Sequence, residues 1–586
     1  MFLKSAVIIL LGLVAFGAML PAPFRIMDDR LSIVENPLIK SFQEFPLIFK
    51  EGYFHDQSYY RPMVSLSFMI EYQVHGLDAF YYNLDNLMLH IINALLVFLL
   101  ISMLTKSETI GFGVGLLFVM HPIQWEAVCN IQGRSMLLSA FFVLISFILF
   151  LKYLGNYRWS YLVLVLITFF LGLLSKESTV IFPLVLIVFL SIDETFSWKE
   201  RLKIVSPLVI VILGYLIVRK VVGVTDASQI HESREILLSF ITFLRSVITD
   251  LRLFIFPYDL HYDRCLPLLK SLSQPQAIMT CLFWITIFVF LILIHRKLNS
   301  FILFLISWFC IELIPVSQLG AGILVGAGHI STAEHFLYLA SVPMFVGIVM
   351  ALRWGFESSQ KSRLMNPFFL KLLAGGFFVF LLLMAIEQSI SASNEFNMIT
   401  RSLFYEPQNP RLQANLGLLY VFKNDTINAE KHFRLAVKIE PLNPTYHIKL
   451  GTALCQEGRW IEGLAQLVVF DPGQELEIVR RQEKLAMDKI QVQLTQGKNF
   501  DARGWLTIGI YEAQTQVFKP AIEAFLKSVT LNPGQTDAWF NLGSLYEEEK
   551  DWVDAKRAFQ KVLELHDLTE FQKDFATAQL TKLADR

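Results

Sequence analysis

Long apolar runs fill roughly the first two-thirds of the chain, and near residue 405 the pattern changes to short amphipathic pieces with a helical period. The apolar runs lie near 5–21, 83–104, 109–126, 136–152, 159–174, 178–193 and 203–218, then near 276–295, 300–316, 336–352 and 368–387. Each is long enough, or nearly so, to cross a hydrocarbon core of ~30 Å. The pattern predicts an all-α protein: a polytopic helical membrane domain of about eleven spans over residues 1–393, then a soluble helical domain over 405–586.

Residues 237–256 are apolar at one end but carry Arg245, Asp250 and Arg252, charges that a lipid-facing span tolerates poorly. Loop charge decides the case. With Lys4 inside, the inside loops hold Lys106, then Lys152 and Arg158, then Lys199, Arg201 and Lys203. If 237–256 spanned, Arg296, Lys297, Arg353, Lys361, Arg363 and Lys371 would all fall outside; if it does not, they return inside. The segment is therefore read as a re-entrant or interfacial helix, with the C-terminal half outside.

The first run, Val7–Leu20, ends at Pro21 and Pro23. Leu20-Pro21-Ala22-Pro23 is a poor cleavage site, so the run reads as a retained helix. Beyond it lies an unusually long connection, 24–82. Its apolar and aromatic pieces, 42–54 and 63–72, suggest short amphipathic helices on the outer membrane surface.

The soluble half repeats. Gly417 and Gly451 are 34 residues apart, as are Gly509 and Gly543, the period of tetratricopeptide helix pairs. A unit begun at Pro410 sets Leu416, Gly417, Tyr420, Ala429, Phe433, Ala436 and Pro441 on the expected positions. Units begun at Ala502 and Thr536 do the same with Gly509, Ala521, Phe525 and Pro533, then Gly543, Tyr546, Ala555 and Phe559. The unit from Pro444 is degenerate, with Gly463 and Leu467 at the Ala and Phe positions, and 471–500 reads as one more, poorly marked helix pair.

Composition agrees with this division. Of 586 residues, 54% are hydrophobic and only 17% charged, with a mean hydropathy of +0.50, which suits a polytopic membrane protein with a soluble part attached. A net charge of −1 argues against a nucleic-acid partner. The five cysteines show neither a zinc spacing nor a disulfide framework. There is no HExxH, GxSxG or P-loop, and Gly111, Gly113 and Gly115 read as helix-packing glycines inside an apolar run.

Candidate chemistry gathers on one face. Asp28 and Asp29 follow the first run by a few residues, and carboxylates so close to lipid are expensive and tend to be kept for function. The expected topology brings to the same side the stretches 121–134, Ser175-Lys176-Glu177, Tyr258–Asp263 and Ala333–Tyr338, with Arg61 and His90 in or near the outer leaflet. Each alone has a structural reading as a loop ion pair, an interfacial anchor or a packing residue. Together, cations around a carboxylate pair suit a lipid-linked phosphate donor: Arg and Lys neutralise the phosphate, and an Asp takes the proton from an acceptor hydroxyl.

These segments resemble a known family, the transmembrane and tetratricopeptide repeat proteins, protein O-mannosyltransferases of the glycosyltransferase C class. The resemblance rests on DDRLSIVEN (28–36), YRPM (60–63), HIIN (90–93), LLFVMHPIQWEAVCNIQGR (116–134), LLSKES (173–178) and EHFLYLASVP (334–343), with the repeats following. Two departures stand out. An acidic residue commonly follows the GR shortly, where this chain reads Gly133-Arg134-Ser135-Met136, and His335 replaces an arginine.

The resemblance implies transfer of a sugar, most simply mannose, from a polyprenyl- or dolichyl-phosphate donor to a protein hydroxyl on the outer or lumenal face, with inversion and with no metal or other cofactor. It makes Asp28 the base, with Asp29 orienting the acceptor or its neighbour. Arg61, Arg134 and Lys176 are the candidates for the donor phosphate. His90, His121, Glu126, Glu177, Glu334, His335 and Tyr338 are candidates for acceptor contacts or for support of the site. The repeat groove would recruit the protein acceptor, in a bacterial periplasm or in the endoplasmic reticulum lumen. The rival expectation is a non-catalytic, membrane-anchored tetratricopeptide scaffold for envelope or secretory-pathway assembly, which has no need of paired Asp residues beside a basic pocket.

Overall fold

The computed structural model describes the whole chain except residues 27, 54–58, 193–195, 225–235, 318–328, 363–366, 470–476, 567 and 585–586. Among the described residues the fold is helical apart from one short antiparallel ribbon, Cys265–Pro267 on His329–Ser331, with Cys265 opposite Ser331. The chain divides into two compact units, Met1–Pro407 and Gln408–Arg586.

Among the described residues of the first unit seven helices are long and apolar enough to cross a membrane: Phe2–Met19, Ala79–Thr105, Ile131–Asn156, Trp198–Val222, Pro275–Ile294, Glu334–Ser358 and Phe368–Ala392. Four shorter apolar helices, Glu108–Met120, Trp159–Leu173, Glu177–Leu190 and Ser300–Val316, lie on the other apolar runs. Local signals set their ends. Ser107 caps the helix that starts at Glu108, and Ser197 with Glu200 forms a capping box at the start of Trp198–Val222. Gly111 allows close packing: a Cβ there would run into Ser102 and the Phe98 carbonyl. The charged segment forms the helix Ile236–Leu253, which is not among the apolar candidates and is held by Trp284 donating to the Leu244 carbonyl at 2.9 Å.

Side-chain contacts sort the loops into two groups. The terminal ammonium and Lys4 meet Glu108 at 2.9 and 3.2 Å, and Arg353 reaches Ser107. The other group links Ile26 to Glu395, Tyr53 to Gln132, Arg61 to Glu177, Glu126 to His335, His261 and Arg264 to Glu334, and Cys265 to Glu406. The connection contains short helices, Phe42–Glu44, Phe45–Ile48 and Pro62–His75, and its apolar side chains share a core. Ile33, Ile39, Ile48, Val64, Phe68 and Met69 pack together with Tyr82 and Ile131. The helix Glu395–Tyr405 also belongs to this unit, through Glu395, Ser402 and Glu406.

The second unit is a stack of helix pairs: Pro410–Phe422 with Thr426–Ile439, Pro444–Gln456 with Trp460–Leu467, Ala502–Gln514 with Phe518–Leu531, and Thr536–Glu548 with Trp552–Glu564. One contact recurs. A Cβ on Gly417, Gly509 or Gly543 would lie 2.6–2.7 Å from the rings of Phe433, Phe525 and Phe559, so glycine lets the second helix of each pair close on the first. In the degenerate unit Gly451 faces Leu467 in the same way. Asn424, Gly458, Gln516 and Lys550 occupy the turn between the paired helices, all with left-handed φ. The expected additional pair over 471–500 is a single helix among the described residues, Glu477–Thr495. Its Ala486, Met487 and Ile490 share a core with Leu464, Leu467, Phe500 and Ile508. The run 482–495 has no turn signal, so nothing divides it into two helices.

Candidate functional site

The loop after the first helix carries the carboxylate pair. Asp29, 1% exposed, accepts from the Arg25 backbone N–H at 2.8 Å and from the Gln132 amide at 2.9 Å. Burial pushes its carboxyl up to about 6, against those two hydrogen bonds. The Tyr53 hydroxyl donates to Gln132 at 2.6 Å, and Gln132 also reaches Ser32 Oγ. Ser32 in turn donates to the Asp28 carbonyl at 2.7 Å. Asp29 is thereby locked. Asp28 begins the same turn and is only half-buried, which leaves its carboxylate the more accessible of the two.

Gln132 is aimed by a tight turn. The Asn130 side chain accepts from its N–H, and Gly133 packs against the Ala127 carbonyl where a Cβ would collide.

A cationic wall stands beside this loop. The Arg61 guanidinium forms a fork with Glu177, at 3.1 and 2.7 Å, and lies over the Tyr59 ring at 4.4 Å. The adjacent Lys176 is 8% exposed and has no side-chain hydrogen bond or ion pair among the described residues. Burial holds its ammonium down to about 7, and the Arg61 charge adds to the effect. The charges of Glu177 and Glu126 also act on it. The Tyr53 phenol joins the wall to the loop, since it lies within electrostatic reach of Arg61 and of both Asp28 and Asp29.

Glu126, 3% exposed, takes His335 at both oxygens, the ring Nδ1 at 3.2 Å and the backbone N–H at 3.0 Å. His335 is therefore the counterpart of Glu126, with its ring partly exposed beside Phe336.

Five sequence candidates fall elsewhere, in the packing beneath. Arg134 donates to Asn86 at 2.5 Å, Glu71 at 2.8 Å, the Tyr82 carbonyl at 3.0 Å and Ser67 at 3.3 Å, which occupies four of its five N–H groups. Glu334 is enclosed by Trp125 at 2.6 Å and Arg264 at 2.9 Å. His90 meets the Tyr338 hydroxyl at 2.8 Å and the Val119 carbonyl at 3.2 Å, and Asn93 also bonds that hydroxyl. His121 bridges the Phe254 carbonyl and the Ile123 N–H. Each of these five is buried with its polar groups engaged, as interior helices require.

Sequence reasoning missed several partners. Arg25 reaches the Cys129 carbonyl at 2.6 Å and leaves one buried guanidinium nitrogen without a hydrogen-bond partner among the described residues. Glu395 accepts from the Ile26 N–H at 3.1 Å, two residues ahead of Asp28. Glu406 meets the His261 ring at 3.1 Å. A basic residue next to an acidic pair was a usable signal for Arg25. Nothing local marked Glu395, which lies 369 residues from its partner. Among the described residues no group of three or more His, Cys, Asp or Glu is placed to hold a metal ion.

The tetratricopeptide repeat family model matches residues 410–441 and 536–567. Protein O-mannosyl-transferase Tmtc1 of Drosophila melanogaster is 28% identical over 162 residues, 26% of this chain and 19% of that protein. Protein O-mannosyl-transferase F38B6.6 of Caenorhabditis elegans is 28% identical over 156 residues, 25% of this chain and 22% of that protein. Protein O-mannosyl-transferase TMTC2 of Homo sapiens is 33% identical over 101 residues, 17% of this chain and 12% of that protein. The matched stretches span about a fifth or less of these relatives' own length. The chain combines helices long and apolar enough to cross a membrane with tetratricopeptide repeats, and it is similar to proteins named protein O-mannosyl-transferases.

Proposed function

We propose that the chain is a multi-pass membrane glycosyltransferase that moves a sugar, mannose, from a polyprenyl- or dolichyl-phosphate carrier to a protein hydroxyl on the outer or lumenal face. The observation that carries this reading is Lys176, a nine-tenths buried cation with no partner among the described residues, beside the Arg61–Glu177 pair and joined through Tyr53 to the carboxylate loop. An unpaired buried cation is costly unless an anion completes it.

In this reading Asp28 accepts the proton of the acceptor hydroxyl as its oxygen attacks the anomeric carbon. The bond from that carbon to the phosphate oxygen breaks, the electron pair leaves with the phosphate, and the configuration inverts. Lys176 balances the charge that develops on the leaving phosphate, with the Arg61–Glu177 pair beside it. Asp29, fixed by Arg25 and Gln132, holds the loop in place. Arg134 is assigned to the scaffold rather than to the phosphate, since its donors already have partners. The repeat array recruits the protein acceptor.

The test is a transfer assay in membranes with labelled polyprenyl-phosphate mannose. Label entering protein only when the chain is expressed supports the reading; no transfer from any polyprenyl-phosphate sugar, with the chain folded and its repeats intact, favours a scaffold.

A further inference from the structure

The wall that holds Arg61 and Lys176 has one more polar group without a use. The helix Trp198–Val222 turns few side chains inward: Val205, Leu208 and Tyr215 are buried, while Val209, Ile210, Leu213, Leu216 and Ile217 are exposed. Tyr215 is 2% exposed, and its hydroxyl has no hydrogen-bond partner among the described residues. Its ring lies 6.4 Å from that of Tyr60, whose own hydroxyl is engaged with the Phe49 carbonyl at 3.0 Å. The charged groups that act on the Tyr215 hydroxyl are Glu177, Arg219 and Arg61. Its ring thus packs beside the residue that precedes Arg61, and its hydroxyl lies within electrostatic reach of the Arg61–Glu177 fork, as Lys176 does.

A phenylalanine would pack here without burying an orphan hydroxyl, and orphan hydroxyls cost free energy where water is excluded. Two unused donors, one charged and one neutral, thus border one ion pair. The Arg61–Glu177 fork pairs one cation with one carboxylate, and Lys176 stands beside it as a further basic group. A phosphate ester is an anion that an ammonium can neutralise, and a neutral hydroxyl adds direction without adding charge.

We propose that Tyr215 is a binding residue for the donor phosphate, its hydroxyl donating to a phosphate oxygen alongside Lys176. This rests on the glycosyltransferase reading given above and extends its site to a residue outside every sequence motif. An oriented hydroxyl also helps to tell the carrier phosphate from an ordinary phospholipid headgroup, because it reads position rather than charge.

The experiment uses the full chain in detergent micelles, with polyprenyl phosphate as the probe and phosphatidylglycerol in the same micelles as the competing anionic lipid. Tyr215→Phe should weaken polyprenyl phosphate binding about tenfold, the effect of one hydrogen bond to a charged group. The melting temperature of the unliganded variant should be unchanged or higher, since an unsatisfied hydroxyl has been removed. Lys176→Gln should weaken the same binding at least as much. If Lys176→Gln acts and Tyr215→Phe does not, the Tyr215 assignment fails and the phosphate site stands. If neither acts, the site reading fails. A marked drop in unliganded stability of Tyr215→Phe would make the hydroxyl structural and overturn the proposal, and so would a loss confined to phosphatidylglycerol binding.

Discussion

Arg134 and Lys176 were both expected to hold the donor phosphate, and both are almost wholly buried in the first unit. Their surroundings differ in one respect. Arg134 sits at the centre of a closed set, with Glu71 as its counterion and Asn86, Tyr82 and Ser67 on its remaining donors. Lys176 stands beside a closed set, the Arg61–Glu177 fork, and has no hydrogen-bonded or ion-pair partner among the described residues. A cation near the right face is thus weak evidence of a binding site. A buried cation with no hydrogen-bonded or ion-pair partner is stronger evidence, because the more distant charges of Glu177 and Glu126 leave much of its desolvation uncompensated.

The sharpest way to break this comparison is to delete each cation. Arg134→Ala should strand Glu71 without a counterion and cost ~3–5 kcal/mol, enough to lose most folded protein. Size-exclusion behaviour in detergent and thermal melting check this. Arg134→Lys should not rescue, since one ammonium cannot reach Glu71, Asn86 and Tyr82 together. Lys176→Gln should leave the fold intact, raise the melting temperature slightly, and lower polyprenyl phosphate affinity by ~10–100-fold. A stable Arg134→Ala, or an unstable Lys176→Gln, would reverse the roles given to the two residues.

A smaller effect lies in pH. The native ammonium of Lys176 is held down to about 7, below its ordinary value, so the native state binds fewer protons than the unfolded chain from about pH 7 to the ordinary lysine range. Unliganded stability from Lys176 should therefore rise with pH across that window. Anion affinity should fall over the same window, by up to about tenfold per unit, as the charge is lost. Arg134 does not titrate there. Lys176→Gln should flatten both curves, as calorimetry and binding isotherms at pH 6, 7, 8 and 9 would show.

The helical runs and repeats were legible because each rests on local periodicity. The apolar runs carry a length signal, and Gly417, Gly509 and Gly543 recur opposite Phe433, Phe525 and Phe559. The helix Glu477–Thr495 was misread as a pair because the absence of repeat marks says nothing about how many helices fill the gap. At the site, sequence found the residue types and the face they share, but not which of them are already engaged. That depends on pairings such as Arg134 with Glu71, 63 residues away, and Trp125 with Glu334, 209 away. Glu395 had no signal at all, and its discovery changes where the chain can be cut. A truncation after Ser393 removes Glu395, Ser402 and Glu406, which hold the loops at Ile26, Tyr262 and Cys265. A cut after Pro407 spares them. The shorter truncation should lose several degrees of melting temperature relative to the longer one, the smallest of these effects.

The central claim is that this end of the first unit performs sugar transfer with Asp28 as the base. Its most direct test is transfer of label from polyprenyl-phosphate mannose to protein in membranes holding equal amounts of wild type and Asp28→Asn. The account predicts a loss of ~10²-fold or more with unchanged expression and melting, because Asp28 is half-buried and removing a general base costs at least that much. Full activity in Asp28→Asn would contradict it.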